Sequence, residues 1–244
     1  MLGRDRVAPL TAMVAALHDG AGAEGVLSAV SNVVSERLLG YDLGVEFDPH
    51  TDFGWLDITH GLTHANAVRW AWREQPGPDT MRMVAWAVFL GWYTGRARTP
   101  VTEPSSGVGR PYRSGPVRPG SWPGSASVVS DALAVGDGDA AGAAALAGEV
   151  GPVADCLERA ALEDRAGSFI VAAHHVKTAR AARHEGAASG SSLPLAGTAR
   201  FVASPIVDRF VRINVTRAID FRRPGVGPPA RLTVARLLYR PPMW

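Results

Sequence analysis

The sequence has a single cysteine, a single lysine and no long hydrophobic run. Cys156 is the only cysteine among 244 residues, so the chain cannot form an internal disulfide, and one thiol cannot build a zinc finger or an iron–sulfur cluster. The longest apolar stretch, residues 83–93, is shorter than the ~20 residues that a membrane span needs. No such stretch follows the charged N-terminal residues, so no signal peptide is expected. We therefore expect a cytoplasmic protein without a membrane contact.

Positive charge comes almost entirely from arginine, since Lys177 is the only lysine. The formal net charge is +2 and the basic residues are spread along the chain, which does not indicate a nucleic-acid-binding surface. Hydrophobic residues make up 46% of the sequence, enough for a sizeable core. Composition therefore favours a globular protein. Evidence for its function has to come from individual side chains.

The sequence lacks any alternating strand pattern of useful length before residue 232, whereas helical patterns are frequent. The stretch from Gly25 to Leu39 repeats apolar residues with a helical period. We predict further helices over these ranges, among others: 56–74, 78–93, 139–150, 152–162, 164–185 and 195–203. The 78–93 helix is apolar nearly all round and is expected in the interior. These patterns predict one all-α domain of about eight helices over residues 1–244.

Two segments interrupt the helical pattern. Residues 97–127 hold six prolines among many Gly, Ser and Arg residues, which excludes a helix or a central strand. Such a long loop is either a functional lid or surface coil. Residues 42–54 and the tail, residues 223–244, are expected to be irregular because Pro and Gly recur in them.

The predicted helix over 56–74 carries two histidines and an aspartate on one face. His60 and His64 are four residues apart, which puts their side chains ~6 Å apart on a helix, and Asp57 lies one turn earlier. Two histidines and a carboxylate form the ligand set of mononuclear non-haem iron sites and also suit zinc. The same spacing occurs where histidines only form hydrogen bonds, so both interpretations are kept.

A second pair of histidines, His174 and His175, lies in the predicted helix over 164–185. Adjacent helical positions point ~100° apart, so only one of the pair can complete a site with His60 and His64. The alternative is a core histidine bonded to a backbone carbonyl. Lys177 follows within one turn and is a candidate clamp for a substrate carboxylate or a base with a shifted pKa; otherwise it reaches solvent.

Tryptophans are concentrated between residues 55 and 92. Trp55, Trp86 and Trp92 are candidates for the wall of a pocket that holds a flat, apolar substrate. The alternative is ordinary core packing between the second and third strongly helical segments. Cys156 lies in an amphipathic pattern and is expected in the core.

Two short blocks resemble a known helical family. They read GWLDITHGLTHA at residues 54–65 and AAHHVKTA at residues 172–179. They resemble questin oxidase-like proteins and the helical region attached to Rieske-type domains in bacterial proteins. The resemblance implies oxygen-dependent oxidation of an aromatic or polyketide-like molecule, with His60, His64 and His174 at the site. A Rieske centre needs two cysteines and two histidines, so the electron-transfer component would be a separate protein.

Three functional hypotheses follow. In the first, a metal-dependent oxygenase or related oxidoreductase holds a divalent ion, iron in preference to zinc, through His60, His64 and either His174 or Asp57, with His175 as a further candidate. In the second, the same site holds zinc for hydrolysis or cyclisation. In the third, the chain is a non-catalytic helical subunit that binds another protein or a second copy through exposed apolar faces.

Overall fold

A computed structural model of the chain describes residues 7–47, 53–95, 124–163 and 167–206, together with Ile219. These residues form ten α-helices and no strand, which confirms the all-α prediction. No helix within them is long and apolar enough to cross a membrane. The helices are α1 (Ala8–His18), α2 (Ala23–Gly40), α3 (Leu43–Phe47), α4 (Trp55–Glu74), α5 (Pro78–Gly95), α6 (Ala126–Val135), α7 (Gly138–Ala147), α8 (Val150–Leu162), α9 (Phe169–Ser189) and α10 (Leu193–Ala203).

The chain divides into two units, residues 1–206 and 207–244. All ten helices belong to the first unit. The predicted tail, residues 223–244, lies outside the described residues, and so does most of the predicted loop over 97–127. The last two residues of that range already belong to α6. The lid function of the loop and the single domain over 1–244 stay predictions.

Local signals explain several helix boundaries. The Ser125 hydroxyl accepts a hydrogen bond from the Val128 amide at the start of α6, and the Asp137 carboxylate accepts one from the Ala140 amide at the start of α7. Both are N-caps that satisfy amides with no partner inside the helix. At the end of α9, Gly190 adopts φ 64°, the left-handed conformation that glycine tolerates best.

The core lies where α2, α4, α9 and α10 pack against one another. Two glycines let these helices approach closely. A Cβ atom at Gly61 of α4 would lie 2.9 Å from a Val34 methyl group of α2, and one at Gly197 of α10 would lie 2.7 Å from the Ser35 carbonyl oxygen. Fully buried apolar side chains fill the space between the helices: Leu27, Val34, Leu38, Trp55, Ile58, Leu62, Leu195 and Phe201.

A buried polar network fixes α4 against α9. The Arg69 guanidinium of α4 donates from Nε and Nη2 to the two carboxylate oxygens of Glu185 on α9, at 2.9 and 2.8 Å. Ser31 of α2 donates to the same carboxylate, and Arg69 also binds Glu24 of α2. Both Arg69 and Glu185 are buried. Since both buried charges have hydrogen-bond partners of opposite charge, the network sets how α4 and α9 face each other.

One helix was not predicted, and two predictions about elements are wrong. Helix α1 has no buried residue, so the sequence pattern that would indicate it is weak. Residues 43–47, expected to be irregular, form the short helix α3. Helix α5, expected in the interior, exposes Met83, Trp86 and Tyr93, because large apolar residues occur on its outer side as well as on its core side.

Candidate functional site

His60 of α4 and His174 of α9 meet although 114 residues separate them. Their Nε2 atoms are 3.1 Å apart, while their ring centroids are 5.1 Å apart with the planes at 61°. The two rings therefore meet through their Nε2 edges and do not stack. The pair lies at the surface, where His60 is exposed and His174 half-buried.

The backbone fixes the tautomer and orientation of His174. Its Nδ1 lies 2.7 Å from the carbonyl oxygen of Ile170, one turn earlier on α9. A carbonyl oxygen only accepts, so Nδ1 donates and, in the neutral ring, Nε2 carries the lone pair. That lone pair points towards His60. Metal-binding histidines are commonly held in this way, with the second ring nitrogen bonded to a carbonyl.

The electrostatic surroundings keep both rings neutral. Although part of the His60 side chain reaches the surface, desolvation by the groups packed around it lowers its pKa to about 4, and the positive charge of Lys177, with that of His174 when His174 is protonated, adds to the effect. Burial also lowers the pKa of His174, more than its bond to Ile170 raises it. Near neutral pH the imidazoles are therefore unprotonated and able to act as ligands or as proton acceptors.

Lys177 adds a positive charge beside the pair. It is half-buried, and burial lowers the pKa of its ammonium group. No carboxylate in the described part of the chain raises that pKa. The site thus combines two neutral imidazoles with one cation, an arrangement that favours a ligand bearing a negatively charged oxygen.

The remaining predicted metal ligands are not brought to the pair. His64 lies one turn further along α4 and is half-buried, which lowers its pKa. Asp57 accepts a hydrogen bond from the Gly54 amide at 2.8 Å, so its carboxylate stabilises the start of α4. Within residues 7–47, 53–95, 124–163 and 167–206, no three His, Cys, Asp or Glu side chains form a group that could hold a metal ion.

His175 points into the core, away from its neighbour His174. It is buried, and its ring packs edge-to-face against Phe201 of α10, with centroids 4.9 Å apart. Only one of the two adjacent histidines therefore reaches α4, as helical geometry predicts.

The three tryptophans do not form one wall beside the histidines. Trp55 is fully buried, packs against Tyr41 and Phe201 and lies under the Arg200 guanidinium. Trp86 is 59% exposed on α5. Trp92 is buried and lines an open groove between α1, α2 and α5. Trp55 is thus a core residue, whereas Trp92 lines that groove.

Sequence reasoning missed two parts of the site. The carbonyl of Ile170 carries no side-chain signal, so no pattern could have revealed it. Arg69 and Glu185, which hold α4 against α9, had a signal: Arg69 lies on the same helical stripe as the core residues Ile58, Leu62 and Ala65. A charge on an apolar stripe indicates a buried partner.

Comparison of the chain with family models, with curated proteins and with solved structures finds no match. The resemblance of residues 54–65 and 172–179 to questin oxidase-like proteins stays an expectation.

Proposed function

We propose that the protein is a metal-dependent enzyme in which Nε2 of His60 and Nε2 of His174 bind one divalent ion. The observation that carries the proposal is the 3.1 Å separation of these two atoms. Two imidazole nitrogens that each lie ~2.1 Å from one ion are about 3.0 Å apart at the right angle of an octahedral site and about 3.4 Å apart in a tetrahedral one. The bond from His174 to Ile170 supplies the support that such ligands need.

The donor set fits an ion with two protein ligands and open positions for water and substrate. Imidazole suits zinc, copper, iron and nickel. The iron triad of two histidines and a carboxylate is incomplete among the described residues, because Asp57 is bonded to the Gly54 amide. The preference for iron, the oxidation of an aromatic or polyketide-like molecule and the separate electron-transfer protein rest on the resemblance alone.

Each residue of the pair has a distinct role in this proposal. A bound ion would act as a Lewis acid or activate oxygen. The His174 ring is held by Ile170, so it presents its lone pair without rearrangement. Lys177 attracts a carboxylate or phenolate oxygen of the substrate and thereby orients it next to the imidazoles.

A second candidate function is acid–base catalysis without a metal, and the position of Lys177 favours it. A cation next to the pair lowers its affinity for another cation. In the metal-free state, one ring donates to the other through Nε2, and the pair can pass that proton to a substrate. Lys177 would then stabilise the negative charge that develops on the substrate oxygen.

Calorimetric titration with Zn²⁺, Fe²⁺ and Co²⁺ separates the two candidates. We expect wild type to bind one ion per chain near neutral pH, and His60→Ala and His174→Ala to weaken binding on the order of a hundredfold. His184→Ala, which removes an exposed histidine of α9, is the matched control and should leave the affinity unchanged. Wild type that binds no ion, or equal effects of all three substitutions, would overturn the metal proposal.

A further inference from the structure

The position of Lys177 is unfavourable for a site that binds a metal ion. Lys177 follows His174 by three residues on α9, so the two side chains lie on the same side of the helix. Its positive charge acts on the rings of both His60 and His174. No carboxylate among the described residues offsets that charge. An ammonium group at this position repels a divalent ion.

The same site lacks an anionic ligand. A carboxylate is the third protein ligand in two-histidine iron sites and in catalytic zinc sites with two histidines. Within the described part of the chain, no third His, Cys, Asp or Glu side chain joins His60 and His174 in a group that could hold a metal ion. The carboxylate of Asp57 is engaged with the Gly54 amide. A carboxylate next to the two imidazoles therefore has to come from another source.

We propose that the Nζ atom of Lys177 takes up carbon dioxide and that the resulting carbamate binds the same metal ion as His60 and His174. The nitrogen lone pair forms a bond to the carbon atom while one C–O π bond of carbon dioxide breaks. The nitrogen then loses a proton to the solution, which leaves an N-carboxylated side chain with one negative charge. No atom is oxidised or reduced. The inference rests on the proposed metal site and adds a third ligand to it.

This conversion removes both difficulties at one residue. The cation that repels the ion becomes an anion, and a carboxylate is supplied within one helical turn of His174. The reaction needs an unprotonated amine, and burial lowers the pKa of Lys177 towards that form,. Lys177 therefore has two states. The ammonium attracts an anionic oxygen of a substrate, whereas the carbamate binds the ion, so the two roles exclude each other at any moment.

¹³C NMR with ¹³C-labelled bicarbonate, which supplies carbon dioxide in solution, detects the carbamate. Lys177 is the only lysine of the chain, so the signal can be assigned by substitution. The matched control is the double variant Lys177→Met, Arg82→Lys, which moves the only lysine to an exposed position on α5 and keeps the α-amino group, the other amine that can react. Spectra are recorded with and without Zn²⁺. Calorimetric titration with Zn²⁺ then compares bicarbonate buffer with buffer freed of carbon dioxide.

We expect a carbamate resonance in wild type that grows when Zn²⁺ is added, and no such growth in the double variant. Bicarbonate should raise the affinity of wild type for Zn²⁺ by at least about tenfold and should leave the affinity of Lys177→Met unchanged. The inference is overturned, and the two-histidine site is not, if wild type binds Zn²⁺ equally in both buffers or if its carbamate resonance is absent or no stronger than that of the double variant. Wild type that binds no Zn²⁺ in either buffer overturns both proposals.

Discussion

His60 shows how neighbouring groups set the chemistry of one residue. Desolvation by the surrounding groups and the charge of Lys177, with that of His174 when it is protonated, lower the pKa of His60 to about 4, so His60 is neutral at pH 7 and its nitrogens are available. Asp57 shows the opposite case. Its spacing from His60 suggested a ligand, yet an acidic residue in the first turn of a helix also fits a cap, and the structure bonds it to Gly54.

The pH dependence of stability follows from His60. Its pKa is about 4 in the folded protein and about 6.5 in an unfolded chain. Between these values the unfolded state binds more protons, so the free energy of unfolding falls as the pH drops from about 6.5 to about 4. Urea unfolding across this range should show a smaller fall for His60→Gln than for wild type.

The variant Lys177→Met tests whether the charge of Lys177 contributes to the low pKa of His60. Removing this charge should raise the pKa of His60 and so narrow the window in which stability is lost. NMR titration of the histidine Cε1 resonances measures the pKa directly. A titration of His60 that is the same in wild type and Lys177→Met would refute the electrostatic contribution.

Helices α4 and α9 bring the two histidines together because a buried network connects them. Both helices could be predicted from the sequence, since a 3.6-residue period is a local property of the sequence. Their contact could not, because it depends on Arg69 finding Glu185 across 116 positions of the chain. The end of α9 was also misplaced: the helix was predicted to end at residue 185, whereas α9 continues to Ser189.

Truncating this network should loosen α4 from α9. Glu185→Ala leaves the buried Arg69 without its main partner, and we expect the free energy of unfolding to fall by about 3–5 kcal/mol. Arg82→Met is the control, because Arg82 pairs with Asp79 at an exposed position where a salt bridge contributes less than ~1 kcal/mol. Urea denaturation measures both. Similar losses for the two variants would contradict a structural role of the network.

At the scale of the whole molecule, the histidine pair belongs to α4 and α9, whereas an open apolar groove lies between α1, α2 and α5. Composition and periodicity are enough to predict the all-α class. They do not determine which of several histidines or tryptophans converge, because that depends on packing between distant segments: His174 reaches α4, His175 packs on α10, and Trp55 is enclosed in the core.

The central claim is that His60 and His174 bind the same metal ion, and anomalous diffraction from crystals loaded with Co²⁺ tests it most directly. The expected result is one anomalous peak about 2.0–2.2 Å from both Nε2 atoms. Crystals of fully loaded protein without a peak between these two rings, or with the ion bound at another histidine, would contradict the account.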